Sequence, residues 1–199
     1  MTTSNEWDDY ADGWDGDEGA RAYASAAFTS LEPLLVDAGV ALVDARVIDF
    51  GCGTGLLTEP LVAAGAAVDA VDTSANMLEV VTAKIAERSW SNVSVSTVLP
   101  DEYEAFDLVV CSSVCAFVDD YSAAVAELAA RLRPGGLFVQ WDWERTDADD
   151  HGLTRTEIDE ALTRAGLIDV VVDTAFTVTV GEQTMSPIVG HGRRSVDRS

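Results

Sequence analysis

Val47-Ile48-Asp49-Phe50-Gly51-Cys52-Gly53-Thr54-Gly55 runs an apolar strand straight into a loop with glycine at every second position. A strand of this composition suits the interior of a parallel sheet, and the glycines admit backbone angles that other residues resist. With no side chains at Gly51, Gly53 and Gly55, a flat ligand can lie directly against the main chain. A helical stretch over 56–64 and a second apolar strand over 66–71 follow, and that strand ends in Asp72. In an open parallel sheet, ligands bind beyond the carboxyl ends of the strands, where a terminal acid accepts hydrogen bonds from ribose hydroxyls. The pattern therefore predicts a nucleoside-containing ligand with Asp72 on its sugar. The order is Gly51-x-Gly53-x-Gly55, not the Gly-x-Gly-x-x-Gly that rests a pyrophosphate on a helix N-terminus, which disfavours a nicotinamide-dependent oxidoreductase.

Four blocks in order carry a resemblance. The glycine loop resembles the first motif of the class I S-adenosylmethionine-dependent methyltransferases, of the small-molecule, type 11-like kind. Val68-Asp69-Ala70-Val71-Asp72-Thr73-Ser74-Ala75-Asn76-Met77-Leu78 is similar to the family's second block, Phe106-Asp107-Leu108-Val109-Val110-Cys111-Ser112-Ser113 to the fourth-strand block, and Leu132-Arg133-Pro134-Gly135-Gly136-Leu137-Phe138-Val139 to the turn into the fifth strand. The resemblance covers most of the chain from about residue 31 onward. It implies S-adenosyl-L-methionine as the cofactor and methyl transfer to an acceptor as the activity. In the family, the acid of the second block holds the ribose, the residues after it flank the adenine, and the fourth-strand block borders the methyl-transfer site.

The 199 residues suit one domain, with a segment over 1–18, a helical region over 19–45 and a Rossmann-like core over 46–199. A net charge of -23, from 12 Lys and Arg against 35 Asp and Glu, argues against nucleic acid and anionic membranes as partners, since phosphates need cationic counterparts. The expected partner is a small-molecule substrate, and the expected assembly a monomer or homodimer. The acidic runs at Trp7-Asp8-Asp9, Asp15-Gly16-Asp17-Glu18 and Asp147-Ala148-Asp149-Asp150 read as solvated surface, with no metal site. Cys52, Cys111 and Cys115 form no Cys-x-x-Cys pair, and no apolar run approaches the roughly 20 residues of a membrane span. Reduced thiols and a cytoplasmic location are the expectation.

Strands and helices alternate along the core, which calls for an α/β doubly wound sheet of seven strands, mostly parallel, with helices on both faces. The spacing predicts an Ala-rich helical region over 19–43 interrupted near Pro33 and strands over 46–50, 66–71, 93–97, 106–111 and 137–143. It predicts helices over 75–88, capped by Ser74, and over 121–132, capped by Asp119 or Asp120. Thr154 with Glu157 spells a capping box for a helix ending at Gly166. Two strands over 168–180 and 185–192 have no helix between them, so they form an antiparallel C-terminal hairpin.

Within the family pattern, Asp49 and Gly51 face the methionine portion of the cofactor, Cys52 accompanies them, and Gly53 and Gly55 shape the loop. Thr73 and Met77 line the adenine, although Met77 also suits a helix core. Many relatives carry an acid after the third strand that reaches the adenine amino group. Here the stretch is Ser96-Thr97-Val98-Leu99-Pro100-Asp101, leaving main chain near Val98, or Asp101, to serve. Cys111 and Ser112 edge the reaction cavity through main chain more than side chain, Trp141 to Glu144 border the acceptor, with alternation putting some of them on the far face, and Trp14 with Trp7 and Tyr10 forms either a lid or packing on the sheet. His151, in the loop after the fifth strand, is the candidate base or substrate contact. A methyl already activated as a sulfonium needs positioning more than dedicated catalysts, so the absence of a Ser-His-Asp constellation is no objection. A non-catalytic S-adenosylmethionine-binding module stands as a further alternative.

Overall fold

The computed structural model describes residues 6–146 and 151–196. Two 3₁₀ turns, Glu6–Tyr10 and Trp14–Gly16, precede helix α1, Glu18–Ala38. Strands β1 (Arg46–Phe50), β2 (Ala67–Val71), β3 (Val93–Ser96), β4 (Phe106–Ser112) and β5 (Leu132–Asp142) alternate with α2 (Thr58–Ala63), α3 (Ala75–Arg88) and α4 (Tyr121–Arg131). Helix α5 (Arg155–Arg164), β6 (Leu167–Thr174), a small hairpin of β7 (Val178–Val180) and β8 (Gln183–Met185), and β9 (Ile188–Arg194) complete the chain.

The seven-stranded sheet has the order β3-β2-β1-β4-β5-β9-β6. Strands β1 to β5 pair in parallel, and β9 inserts antiparallel between β5 and β6. This is the doubly wound, mostly parallel sheet expected from the alternation. Parallel neighbours force each crossover to leave the sheet, so helices cover both faces. Val47, Leu108, Val139 and Trp141 bury against Ala27, Leu31 and Leu35 of α1. Ile48, Val109 and Phe138 face the other way, onto Val125 and Leu128 of α4 and Ile158 and Leu162 of α5. The strand order reverses between β1 and β4, and the glycine loop sits at that switch point.

Several boundaries differ from the expectation. Helix α1 runs unbroken through Pro33, because its buried stripe of Tyr23, Ala27, Leu31 and Leu35 holds it to the sheet. Pro33 and Thr29, whose carbonyl loses its helical donor, both lie on the exposed side where water can take over. The strand expected over 168–180 is two pieces. Phe176 leaves the ladder after β6 to set its ring edge-on against Tyr23 at 5.3 Å, and β7 and β8 form a separate two-stranded sheet. Strand β5 begins five residues earlier than expected, with a register shift against β4 that absorbs Pro134 to Gly136. The caps follow the expectation: Ser74 accepts from the Met77 amide at 3.2 Å, Asp120 from Ala123 at 3.0 Å, and Thr154 with Glu157 closes the capping box. Among the described residues no helix is long and apolar enough to cross a membrane.

Gly190 is where α5 meets β9 most closely: a Cβ there would stand 2.3 Å from Ile158 Cγ2 and 3.3 Å from Leu162 Cδ1. Gly190→Ala is therefore expected to lower unfolding free energy by about 1–3 kcal/mol through overpacking, read by urea titration. An unchanged midpoint would contradict the packing of α5.

Candidate active site

The loop over 51–55 wraps the carboxyl tips of β1 and β2. Gly51 and Cys52 donate their amides to the Val71 carbonyl at 2.7 and 3.0 Å, and Gly55 donates to Cys52 at 2.9 Å. Gly51, Gly53 and Gly55 all take positive φ, at 70°, 53° and 86°. Their spaces differ in kind. At Gly53 a Cβ would meet nothing within 4 Å, so the loop offers bare main chain to an open side. At Gly51 it would lie 2.3 Å from Val114 Cγ2, and at Gly55 3.2 Å from Val81 Cγ2. Only Gly53 thus answers to a ligand lying on the loop; Gly51 answers to the segment after β4 and Gly55 to α3.

Asp72 faces the loop. Its Oδ2 accepts from Gly53 N and its Oδ1 from Ser74 N, both at 2.8 Å. Each carboxylate oxygen keeps a second acceptor site, so a sugar hydroxyl is accommodated without breaking either bond. Asp49 is 1% exposed; its Oδ2 accepts from the Thr58 hydroxyl at 2.6 Å while Oδ1 has no partner. Burial, opposed by the Thr58 bond and reinforced by Asp72, pushes the Asp49 carboxyl up to about 7. Burial, with Asp49 and Asp72 nearby, also pushes the Cys52 thiol up, so it is no thiolate nucleophile. A group carrying a ribose and an ammonium fits these residues: open main chain at Gly53, spare acceptor capacity on Asp72 and an orphaned carboxylate oxygen on Asp49.

The N-terminal segment crosses this site, which corrects the reading of its acids as solvated surface. Asp8 Oδ1 accepts from the Ser74 hydroxyl at 2.6 Å, and the Asp8 carbonyl accepts from Asn76 Nδ2 at 3.1 Å. Asp15 Oδ1 accepts from the Thr54 hydroxyl at 2.7 Å, and Asp17 caps α1. Trp7 stands edge-on to Phe117, beyond β4, at 5.0 Å, with Tyr10 and Trp14 continuing the row. Beneath the crossing lies Lys84, the only lysine of the 199 residues. Its ammonium reaches the Thr54 carbonyl at 2.8 Å, Asp15 at 2.6 Å and Glu59 at 2.8 Å, with the residue 8% exposed. One cation thereby ties loop, N-terminal segment and α2 together. The sequence reading has Asp15 as solvated surface and does not single out Lys84; a solitary lysine in so acidic a chain was the available signal. The acidic run over 147–150 lies outside the described residues.

The remaining candidates scatter. Thr73 is exposed at the tip of β2, and Met77 is buried in the first turn of α3. Val98 is exposed, its amide donated to the Ser96 hydroxyl at 3.1 Å, and Asp101 is exposed as well. The Cys111 side chain is wholly buried in the core beside Cys115 and Val109, on the α4 and α5 face, so it presents no side chain to the loop. His151 is exposed, two residues before Leu153, which bridges Glu144. Trp141 is core, its indole N–H donated to Ser30 at 2.9 Å, and Glu144 pairs with Arg155 at 2.8 Å. Asp142 is fully buried at the end of β5, where burial pushes its carboxyl up to about 7.

Breaking the two ends of the Lys84 cluster separates their parts. Lys84→Met leaves the Thr54 carbonyl without its donor and takes one cation from Asp15 and Glu59, which keep the Thr54 hydroxyl and Arg88, and is expected to cost about 2 kcal/mol. Asp15→Asn removes a half-exposed partner and costs about 1 kcal/mol or less, yet should expose the N-terminal segment to protease. Urea unfolding and limited proteolysis of both variants check this; equal losses would contradict it.

A family model described as a methyltransferase domain matches residues 48–140, the stretch from β1 to β5 that builds the loop and the Asp72 tip. The ubiquinone biosynthesis O-methyltransferase of Xanthomonas campestris is 34% identical over 126 residues, 60% of this chain and 53% of that protein. The chain spans about half the length of the curated relatives it matches. A methyltransferase solved in complex with the Haloferax volcanii Trm112 methyltransferase activator superposes with a TM-score of 0.75 at 18% identity, covering 98% of this chain and 100% of that one. The 1,6-didemethyltoxoflavin-N1-methyltransferase of Burkholderia thailandensis, solved with its substrate and S-adenosylhomocysteine, gives 0.70 at 22% identity, over 95% and 87%. The match falls on the residues that shape the loop and spans the strands that position it. Over residues 48–140 the chain matches the methyltransferase domain, and its fold is that of these solved methyltransferases.

Proposed function

We propose that the protein moves a methyl group from S-adenosyl-L-methionine to a small-molecule acceptor. The observation that carries the reading is Asp72 turned onto the Gly53 amide at the switch point, beside open main chain. Asp72 would hold the ribose hydroxyls, the Gly53 face would take the flat of the ligand, and Asp49 Oδ1 would receive the ammonium. The cofactor supplies a methyl already activated as a sulfonium. The protein's own work is to fix its orientation, bury it and keep water out.

The segment over 6–16 serves as the lid. It crosses the loop through polar contacts to Ser74, Asn76, Thr54 and Lys84 and sets Trp7 against Phe117, a mostly polar set of contacts suited to opening and reclosing. Trp14 belongs to this lid. A net charge of -23 favours a metabolite over nucleic acid as acceptor. Against a nicotinamide cofactor stands the missing third-glycine spacing.

Calorimetry with S-adenosylhomocysteine tests the reading: the wild type is expected to bind, and Asp72→Ala to bind at least tenfold more weakly, in line with about 1.5–3 kcal/mol for hydrogen bonds to a charged group. No binding by the wild type would end it. Binding without methyl release to any acceptor would instead favour the non-catalytic module.

Asp49 adds a pH signature. An incoming ammonium prefers the ionised carboxylate, so below its pKa of about 7 binding must displace a proton. Affinity is expected to rise from about pH 5.5 to about pH 7.5, by up to tenfold per unit below the pKa, and then level. Asp49→Asn should flatten the curve. A wild-type curve already flat across that range would refute the role.

A further inference from the structure

The segment over 6–16 carries Glu6, Asp8, Asp9, Asp12 and Asp15, and no Lys or Arg precedes Arg21. This run of acids lies on a surface that is itself acidic. The turn Glu6–Tyr10 packs on α3, where Asn76 donates to the Asp8 carbonyl and Glu79 stands exposed three residues further on. Trp7 rests on Phe117, which the exposed Asp119 and Asp120 follow within three residues. Asp15 meets the loop at Thr54, next to the Gly53 amide held by Asp72, and shares Lys84 with Glu59.

Two kinds of force act on this crossing, and salt separates them. Asp9 and Asp12 are exposed and, among the described residues, form no ion pair, so they act on the body's acids only by repulsion through solvent. Such repulsion reaches about 10 Å at 0.1 M salt and only about 3 Å at 1 M. The bonds that hold the segment are short. Asp8 accepts from Ser74 at 2.6 Å, and Asp15 accepts from Thr54 at 2.7 Å and pairs with Lys84 at 2.6 Å. The Lys84 side chain is 10% exposed, and a partly buried pair in contact is screened far less than charges facing each other across water. The Trp7–Phe117 contact is apolar and salt does not weaken it. With a net charge of -23, added salt therefore removes more of what opposes closure than of what holds it.

We infer that the lid over 6–16 is gated by ionic strength: in dilute salt its own carboxylates hold it off the acidic strand tips, and concentrated salt closes it over the bound cofactor, with Asp15 and Lys84 as the catch. This inference rests on the methyltransferase and lid reading above and adds a sign to it. A lid held by a surface ion pair loosens as salt rises, whereas this one tightens. Retention of the cofactor and release of its spent form then follow the salt content of the surroundings.

The test is calorimetry of S-adenosylhomocysteine into the full chain at 0.1 M and 1 M KCl, for wild type and the double variant Asp9→Asn, Asp12→Asn. The ligand carries one ammonium and one carboxylate, so it has no net charge whose attraction to the chain salt would screen. The wild type should bind about fivefold or more tightly at 1 M than at 0.1 M. The double variant should bind at 0.1 M about threefold more tightly than wild type and show the smaller salt ratio. Far-ultraviolet circular dichroism at both concentrations accompanies the titrations. Wild-type affinity that is unchanged or weaker at 1 M overturns the inference. So does a double variant with the full wild-type ratio, because salt would then act on something other than the segment's charge. A wild type that is unfolded at 0.1 M overturns it as well, since salt would be holding the whole fold. A folded wild type that binds S-adenosylhomocysteine at neither concentration removes the methyltransferase reading, an outcome distinct from the others.

Discussion

The bond from the Gly53 amide to the Asp72 carboxylate joins the tips of two neighbouring strands, and the site depends on it. A loop of alternating glycines is entropically expensive to order, since each has more freedom to lose than any other residue. Here it is gripped from both sides. Asp72 takes the Gly53 N–H, and the Lys84 ammonium takes the carbonyl of the next residue, Thr54. An acid on a donor and a cation on an acceptor hold the intervening peptide in one orientation, leaving the Gly53 face open.

The same cation explains how a chain so acidic can close over its own site. Asp15 and Glu59 converge on Lys84, and without it the N-terminal segment would bring a carboxylate toward Glu59 and the acids at the strand tips. Elsewhere the N-terminal acids are used as hydrogen-bond acceptors: Asp8 for the Ser74 hydroxyl, Asp17 for the start of α1. Ser74 serves twice, accepting from the Met77 amide to cap α3 and donating to Asp8. The helix that positions Lys84 is therefore capped by the residue that tethers the segment Lys84 secures.

Asp49 Oδ1 and the Tyr23 hydroxyl are the two buried side-chain polar atoms without a hydrogen-bond partner among the described residues. Both sit on elements that the sheet itself fixes, β1 at its centre and α1 across its face. Asp142, buried with a raised pKa, ends β5 and accepts from the Ala116 amide and Gln140. Of the two orphaned atoms, that of Asp49 lies beside the glycine loop, where a bound ammonium would supply the missing partner.

The amino-acid sequence by itself determined the doubly wound sheet, the glycine loop and the acid at the tip of β2, because strand periodicity, glycine spacing and helix caps are local and leave a mark within a few residues. Ser74, Asp120 and the Thr154–Glu157 box could be read for that reason. What only the tertiary structure decided depends on partners far apart in the chain. Pro33 remains helical because the stripe from Tyr23 to Leu35 is anchored on the sheet, and Phe176 ends β6 because Tyr23 offers it a face. Gly51 is needed for Val114, and the Asp15 and Lys84 that hold the loop stand 39 and 30 residues from Thr54. Cys111 and Trp141 turn into opposite faces of the core, although alternation alone left open which side held the site. No short-range pattern encodes such pairings, since packing chooses them only once the sheet has assembled.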